Sequence, residues 1–261
     1  GLYFAMEKAP DGSTIYPLRE QSAQAYLEGS SDMSRTLNMN GITLKDGGIA
    51  VGRADSGKQT LTLTGEGCIN GTIYAGEKCV LRTKDWLGKI EILGIYSGSD
   101  IKLDGGIYGQ ILRYSDSCTA GDILAEGYTF RAEDDSFIQY NKQITYADKL
   151  TNVTVVKCEE HNDSDNNLKC DYCNGDLAAS VITGNGEVRY FMAETEQYSD
   201  KAIPKAVKYA NANNGTIKPL VDGVAIYNAN CTVDLNDKTV AGIIAAGSDL
   251  VVTGDGTVAN L

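Results

Sequence analysis

Short alternating runs closed by glycine turns constrain this chain more than any other feature. Ile42-Thr43-Leu44, Ile49-Ala50-Val51, Leu61-Thr62-Leu63, Lys89-Ile90-Glu91-Ile92 and Ile101-Lys102-Leu103 each alternate over three or four residues. Asp46-Gly47-Gly48, Gly65-Glu66-Gly67 and Asp104-Gly105-Gly106 separate them. Alternation of this kind marks half-buried strands, and glycine supplies the turn conformations between them. Strands this short cannot pair into a wide sheet through hairpins alone. They suit a solenoid, in which each coil stacks on the next and buries its inward residues in a narrow shared core. A β-sandwich also uses short strands and turns. The irregular spacing, and a helix-like stretch ahead of each set, favour the solenoid. The 29 glycines and 4 prolines agree with a chain that turns often. The fold expected is therefore mainly β, a solenoid with short capping helices.

The chain also repeats itself. Tyr3-Phe4-Ala5-Met6-Glu7 is echoed by Tyr190-Phe191-Met192-Ala193-Glu194, 187 residues later, and the same offset places Pro17 on Pro204. Each proline opens a helix-like stretch: Pro17–Gly29, with Leu18, Ala25 and Tyr26 apolar, and Pro204–Asn214, with Ala206, Val207 and Ala210 apolar. Proline at the start and glycine past the end suit helix termini. Further on, Leu61-Thr62-Leu63-Thr64-Gly65-Glu66-Gly67 matches Leu250-Val251-Val252-Thr253-Gly254-Asp255-Gly256, and Asn38-Met39-Asn40 resembles Asp234-Leu235-Asn236. The order of the four matches predicts a tandem duplication. It comprises a first solenoid copy at 1–157, a Cys/His/Asp-rich junction at 158–183 and a shorter second copy at 184–261.

Charge excludes some partners. The formal net charge is −12, from 23 basic and 35 acidic residues, with no strong basic run. Such a chain repels a phosphate backbone, so nucleic acid is not expected, nor an anionic membrane surface. No apolar run approaches the ~18 residues of a spanning helix, and Gly1–Met6 lacks the flanks of a signal peptide. Leu2-Tyr3-Phe4 reads as a strand already under way and the residues from Leu250 to Leu261 as a strand and turn in progress, as expected of a segment of a longer protein.

One constellation carries chemistry. Cys158, His161, Cys170 and Cys173 stand as Cys-x-x-His, eight residues, then Cys-x-x-Cys, and His161 is the single histidine of the chain. Two ligand pairs, each two residues apart, can wrap a tetrahedral ion, and three thiolates with an imidazole form a structural zinc set. The loop between them offers another reading. Asp163, Asp165 and Asn167 alternate, followed by the Lys169 carbonyl and Asp171, which is part of a calcium loop. Leu168 stands where that pattern has glycine, and Asn174 where it has a bidentate glutamate. The remaining cysteines, Cys68, Cys79, Cys118 and Cys231, sit among strand residues and are expected to be buried and inert.

The segments Thr232–Val240 and Asp249–Val258 resemble the first coils of right-handed parallel β-helix modules of the pectin-lyase-like kind. Gly105-Gly106-Ile107-Tyr108-Gly109-Gln110-Ile111, with Leu124–Phe130 after it, is similar to a coil-end signature of the same proteins. The Cys-x-x-His, Asp-rich loop and Cys-Asp-x-Cys series resembles a module linking their domains. These modules recur in secreted, cell-wall-attached proteins of gut Gram-positive bacteria. The resemblance implies a right-handed β-helix, an extracellular, cell-surface location, and glycan or a host surface protein as partner. An exported chain meets an oxidising environment, so disulfide pairing of Cys158, Cys170 and Cys173 stands beside zinc and calcium as a third reading.

Two function classes follow. The first is a non-catalytic surface stalk or adhesin-like protein, with tyrosines such as Tyr96, Tyr108, Tyr114, Tyr128 and Tyr140 as stacking faces. The single tryptophan, Trp86, joins Tyr108 and Tyr128 as the candidate ligand contacts. The second is a polysaccharide-degrading β-helix enzyme, a glycoside hydrolase or lyase. A hydrolase needs two facing carboxylates, and Asp55, Asp100, Asp104 and Glu133 with Asp134-Asp135 are undistinguished candidates. A lyase needs a basic groove, and Arg113 and Arg131 are isolated. The non-catalytic reading fits more of these features.

Overall fold

A computed structural model of the chain describes residues 1–193 and 199–260; Glu194 of the second tyrosine-led segment and Leu261 lie outside the described residues. The chain forms two compact units, Gly1–Cys158 and Glu159–Leu261.

The first unit is a parallel β-solenoid behind a helix, α1 (Leu2–Lys8). Coil 1 holds β1 (Ser13–Ile15), β2 (Gln21–Ser22) and β3 (Ala25–Leu27). Coil 2 is β4 (Met33–Asn38) and β5 (Thr43–Val51), and coil 3 is β6 (Gln59–Gly65) and β7 (Cys68–Ala75). Coil 4 is β8 (Cys79–Trp86) and β9 (Lys89–Ile95), and coil 5 is β10 (Asp100–Lys102) and β11 (Ile107–Arg113). One sheet runs β1-β4-β6-β8-β10; the other stacks β2 and β3, then β5, β7, β9 and β11. Gln59 pairs with Cys79 and Val80 with Asp100, so these coils take about twenty residues each.

Parallel stacking puts like residues above one another in the core. Leu44, Ile69, Ile90 and Tyr108 form one inward column, and Ile49, Ile73, Leu93 and Ile111 a second. Both columns are fully buried. At about 1.5–3 kcal/mol for each such side chain removed from water, these columns supply much of the driving force for stacking. Beyond coil 5 the parallel order stops. The chain passes β12 (Cys118–Thr119), the one-turn helix α2 (Ala120–Ile123), β13 (Tyr128–Arg131), β14 (Gln143–Ile144) and β15 (Leu150–Lys157). Strand β15 lies antiparallel on β11, and β13 antiparallel on β15. Thr119 and Asp122 close the start of α2 with reciprocal side chain-to-backbone bonds.

The second unit pairs β16 (Leu177–Ile182) with β17 (Val188–Met192) as an antiparallel hairpin. Helix α3 (Ser199–Ala212) follows, then β18 (Thr216–Pro219) and β19 (Ala225–Ala229). Next come β20 (Thr232–Asp234), β21 (Lys238–Val240), β22 (Gly242–Ala245), β23 (Val251–Thr253) and β24 (Gly256–Val258). Strands β18-β20-β23, β19-β22 and β21-β24 stack in parallel. Ala202, Ile203, Ala206, Val207 and Ala210 form the buried stripe of α3, at helical spacing. No helix among the described residues is long and apolar enough to cross a membrane.

Two of the four repeat matches describe real coil corners. In the first unit the Asn40 N–H donates to the Asn38 side chain and Met39 N–H to the Thr64 carbonyl. In the second, Asn236 N–H donates to Asp234 and Leu235 N–H to the Thr253 carbonyl. Gly65 and Gly254 take φ of 76° and 75° above those corners. An added Cβ would meet Asn38 Oδ1 at 2.8 Å and Asp234 Oδ1 at 2.1 Å respectively. Glycine is needed there for both conformation and space.

The other two matches fail. Leu2–Phe4 is not a strand: Leu2 and Met6, four apart, are buried under α1 while Tyr3 and Phe4 stay exposed. The helical spacing of the buried pair outweighs the β-propensity of the aromatics. The counterpart Val188–Met192 is a strand. Pro17–Gly29 is not a helix either. Ala23, Ala25 and Leu27 point inward and Gln24 and Tyr26 outward, a strand alternation, and Leu18 is exposed. Pro204 lies inside α3, which starts at Ser199. A helix does precede each set of coils, but the first is Leu2–Lys8.

Candidate metal centre

Strand β15 delivers Cys158, whose N–H donates to the Gly127 carbonyl at 2.8 Å. From there the chain is irregular, and its polar side chains shape it. Asp163, buried, accepts the N–H groups of Asn167 and Leu168 at 3.0 and 3.2 Å. Asp171 Oδ2 accepts from the Asn162 amide at 2.9 Å and from the Ser164 N–H at 3.0 Å. Asx-type acceptors of this kind hold a loop that has no apolar core of its own.

The Cys-x-x-Cys pair sits on a tight knuckle. The Cys170 carbonyl accepts the Asn174 N–H at 2.8 Å, and the Cys170 N–H donates to the Gly175 carbonyl at 2.9 Å. An antiparallel bridge between Lys169 and Asp176, with their side chains 2.8 Å apart, closes the knuckle. The outcome is that Cys158, His161, Cys170 and Cys173 bring one donor atom each to within 4.8 Å of one another. The three cysteines are 4%, 2% and 7% exposed, and His161 is half-buried.

This geometry can be tested against a metal. Zn–S bonds of about 2.3 Å at tetrahedral angles put ligand atoms about 3.8 Å apart. A group gathered within 4.8 Å fits that arrangement with small adjustment. Four protein donors complete a tetrahedron and leave no open position, the pattern of a structural rather than catalytic ion. The buried Cys3His group can therefore hold a metal ion.

The second reading of the loop also gathers groups. Asp163, Asp165 and Asp171 bring carboxylate oxygens within 4.8 Å of one another. Leu168 takes φ 63°, the left-handed conformation glycine would adopt there. The carboxylates also serve the loop: Asp165 accepts from the Asn167 amide at 2.9 Å, and Asn167 accepts the Lys169 N–H at 2.8 Å. Tyr190 of β17 stands beside this loop. Its phenol is pushed above the ordinary range by burial and then by the charges of Asp163 and Asp171.

No family model matches the sequence, and neither a curated protein nor a solved structure does. The chemistry of the centre rests on its own donors.

Two of the candidate ligand contacts are placed otherwise than expected. Trp86 is fully buried, its indole filling a coil corner where an added Cβ at Gly106 would come within 2.1 Å of the ring. Tyr108 is fully buried as the fourth member of an inward column, its hydroxyl donating to the Gly105 carbonyl at 3.0 Å. Their β-strand register points both rings inward, so neither offers a face to a ligand. Tyr128 is half-buried against the same core.

Of the other cysteines, Cys79, Cys118 and Cys231 are buried, whereas Cys68, expected buried, is half-exposed at the start of β7, its thiol donating to Asn70 Oδ1 at 2.8 Å. Burial pushes Cys79 up to about 12 and raises Cys68, Cys118 and Cys231 as well. Among the candidate acids, Asp100 pairs with Arg82 at 2.5 Å, Asp134 accepts from Ser136 at 2.6 Å and Glu133 accepts from Asn152 at 3.1 Å. Asp100 thus ties β10 to β8, Asp134 holds a turn, and Glu133 reaches across to β15. Sequence reasoning missed Met192, whose sulfur accepts a contact from Cys173 Sγ at 3.6 Å. Its place in an apolar strand gave no signal of that role.

Proposed function

We propose that this chain is a non-catalytic scaffold segment of an extracellular, cell-surface protein, adhesin-like or a structural stalk, with one zinc ion clasped by Cys158, His161, Cys170 and Cys173. The observation that carries the reading is the gathering of three cysteine sulfurs and the single imidazole within 4.8 Å. Zinc uses all four donors, whereas a disulfide uses two sulfurs and leaves the third and the imidazole without a role. Soft thiolates select zinc over calcium, which prefers oxygen ligands. The ion would close a segment that has little apolar surface to bury, which is the usual work of a structural zinc site.

The scaffold part of the reading rests on the stacked coils, whose outward residues form a long lateral surface. A glycan or a host surface protein is the partner suited to it. The −12 net charge argues against nucleic acid. Elemental analysis of protein purified without added metal tests the centre. One zinc per chain is expected, lost on Cys170→Ser. A metal-free chain whose cysteines are oxidised overturns it. Release of reducing or unsaturated sugar from any polysaccharide overturns the non-catalytic part.

A further inference from the structure

The outer face of the first unit carries a row of tyrosines with a gap in it. The outward column through Tyr26, Ala50, Tyr74 and Gly94 alternates ring and small residue. On one side of the gap Tyr3 meets Tyr26 edge to face, centroids 5.9 Å apart. On the other, Tyr74 stacks on Tyr114 at 6.3 Å, Tyr96 stacks on Tyr114 at 4.8 Å, and Tyr146 extends the row at 5.8 Å. Gly94 permits that stacking, because a Cβ there would lie 2.4 Å from the Tyr114 ring. Tyr26, Tyr74 and Tyr96 each keep more than a third of their surface exposed.

Over Ala50 lies a pocket of about 370 Å³ walled by Tyr26, Tyr74 and Tyr96 and rimmed by Glu28, Arg53 and Glu77. Strands β3 and β7 are two rungs apart, about 9.5 Å at the usual spacing between strands. A volume of about 370 Å³ is at the small end of the ~300–1,000 Å³ range of ligand pockets and suits one sugar ring. Glu28 supplies a second signal. Its Oε2 is 3.7 Å from Arg53 and its Oε1, shielded from solvent, accepts no hydrogen bond. Glu28, its side chain 26% exposed, thus keeps one carboxylate oxygen uncommitted among the residues that line the pocket. The terminal torsion of glutamate is soft, so either oxygen can turn to a donor in the pocket.

We propose that this pocket binds one ring of a neutral polysaccharide, with the tyrosine row as platform for the units on either side. A pyranose offers an apolar face to Tyr26 and Tyr74 and hydroxyl donors to Glu28 and Glu77, while Arg53 donates to ring or hydroxyl oxygens. The two glutamates and the net charge of −12 disfavour an acidic sugar. A row of rings spread over coils 1 to 5 suits a chain of linked rings rather than a small cation. This inference rests on the surface-scaffold reading and gives that surface a ligand class; it does not involve the metal centre.

The test is titration calorimetry of the whole chain with cellohexaose, maltohexaose, xylohexaose and mannohexaose, with hexagalacturonate and choline for comparison. Binding of at least one neutral hexasaccharide is expected. Tyr74→Ala should weaken it about tenfold, the size of one lost ring contact. Ala50→Tyr, which removes nothing from the core and fills the gap, should weaken it by at least as much. Tyr227→Ala, in the second unit, should leave it unchanged. Melting curves verify that each variant is folded. Failure of all four neutral sugars, tighter binding of hexagalacturonate or choline, or full binding by Ala50→Tyr overturns the proposal. Zinc content measured on the same samples keeps a failure here separate from a failure of the metal centre.

Discussion

Arg35 stands in register with Leu61, so a guanidinium with no exposed surface fills the inward rung that leucine fills one coil later. Its NH1 donates to the Ser34 carbonyl at 2.7 Å and its NH2 to the Ala9 carbonyl just past α1, while Nε has no partner. Asp11, the nearest carboxylate, is 3.9 Å away. The charge thus sits at the α1 end of the core, tied mainly to backbone carbonyls.

Removing that side chain and replacing it should have different effects. Both variants release the Ser34 and Ala9 carbonyls, but Arg35→Ala also leaves a void and should cost about 3 kcal/mol, whereas Arg35→Met keeps the volume without the buried charge and should fall within about 1 kcal/mol of the parent. Urea unfolding of both variants measures the difference. Equal losses would mean that the hydrogen bonds, not the packing, secure α1.

Gly65 and Gly127 separate strain from crowding. Both take positive φ, 76° and 77°, but only Gly65 has a neighbour that an added Cβ would strike. Gly127→Ala should cost about 1 kcal/mol, from conformation alone, and Gly65→Ala at least about 1 kcal/mol more, since Asn38 must leave its corner. Thermal melts rank the two.

Thiol reactivity should follow burial. Cys79, pushed up to about 12, stays protonated in the folded chain at pH 8.5, whereas Cys68 is half-exposed and raised less. Because the folded pKa of Cys79 is raised, its contribution to stability is present below the ordinary thiol pKa and lost as pH rises toward 12. Iodoacetamide should modify Cys68 well before Cys79, read by peptide mass spectrometry. Simultaneous labelling would indicate that coil 4 opens.

Asp116 should titrate low. The hydrogen bond from Arg113 is the main cause that lowers its carboxyl to about 2, with Ser97 also donating to it at 3.0 Å. A depressed carboxyl stabilises the fold above its ordinary pKa and loses that effect as pH falls to about 2. Arg113→Met should return the midpoint most of the way to the ordinary carboxylate range, seen by carboxyl NMR. An unmoved midpoint would place the cause elsewhere.

Much of the architecture was legible because a solenoid writes its inward columns into the sequence. Leu61-Thr62-Leu63 and Ile101-Lys102-Leu103 carry the alternation, and the Asn38 and Asp234 corners carry the repeat. The ends were less legible. Leu2 and Met6 show a helical pair only once α1 has a core to cover, and Pro17–Gly29 offered helix punctuation around a strand pattern. The gathering of Cys158, His161, Cys170 and Cys173 could be read because local spacing sets it. The tyrosine pocket could not, since Tyr26, Ala50 and Tyr74 are neighbours only through the coil register. Trp86 and Tyr108 misled for the same reason: which way a strand residue faces depends on that register.

The antiparallel strands that close the first unit have a consequence for its behaviour in a concentrated solution. A stack of parallel coils ends in a bare row of amides and carbonyls that another copy could extend, coil upon coil, into a filament. Here β15 covers β11, β13 covers β15, and the outer edge of β13 is partly occupied by Ile138, which donates to the Phe130 carbonyl at 2.9 Å. These strands remove the open edge from the sheet that ends in β11, so a second copy cannot extend that sheet coil upon coil.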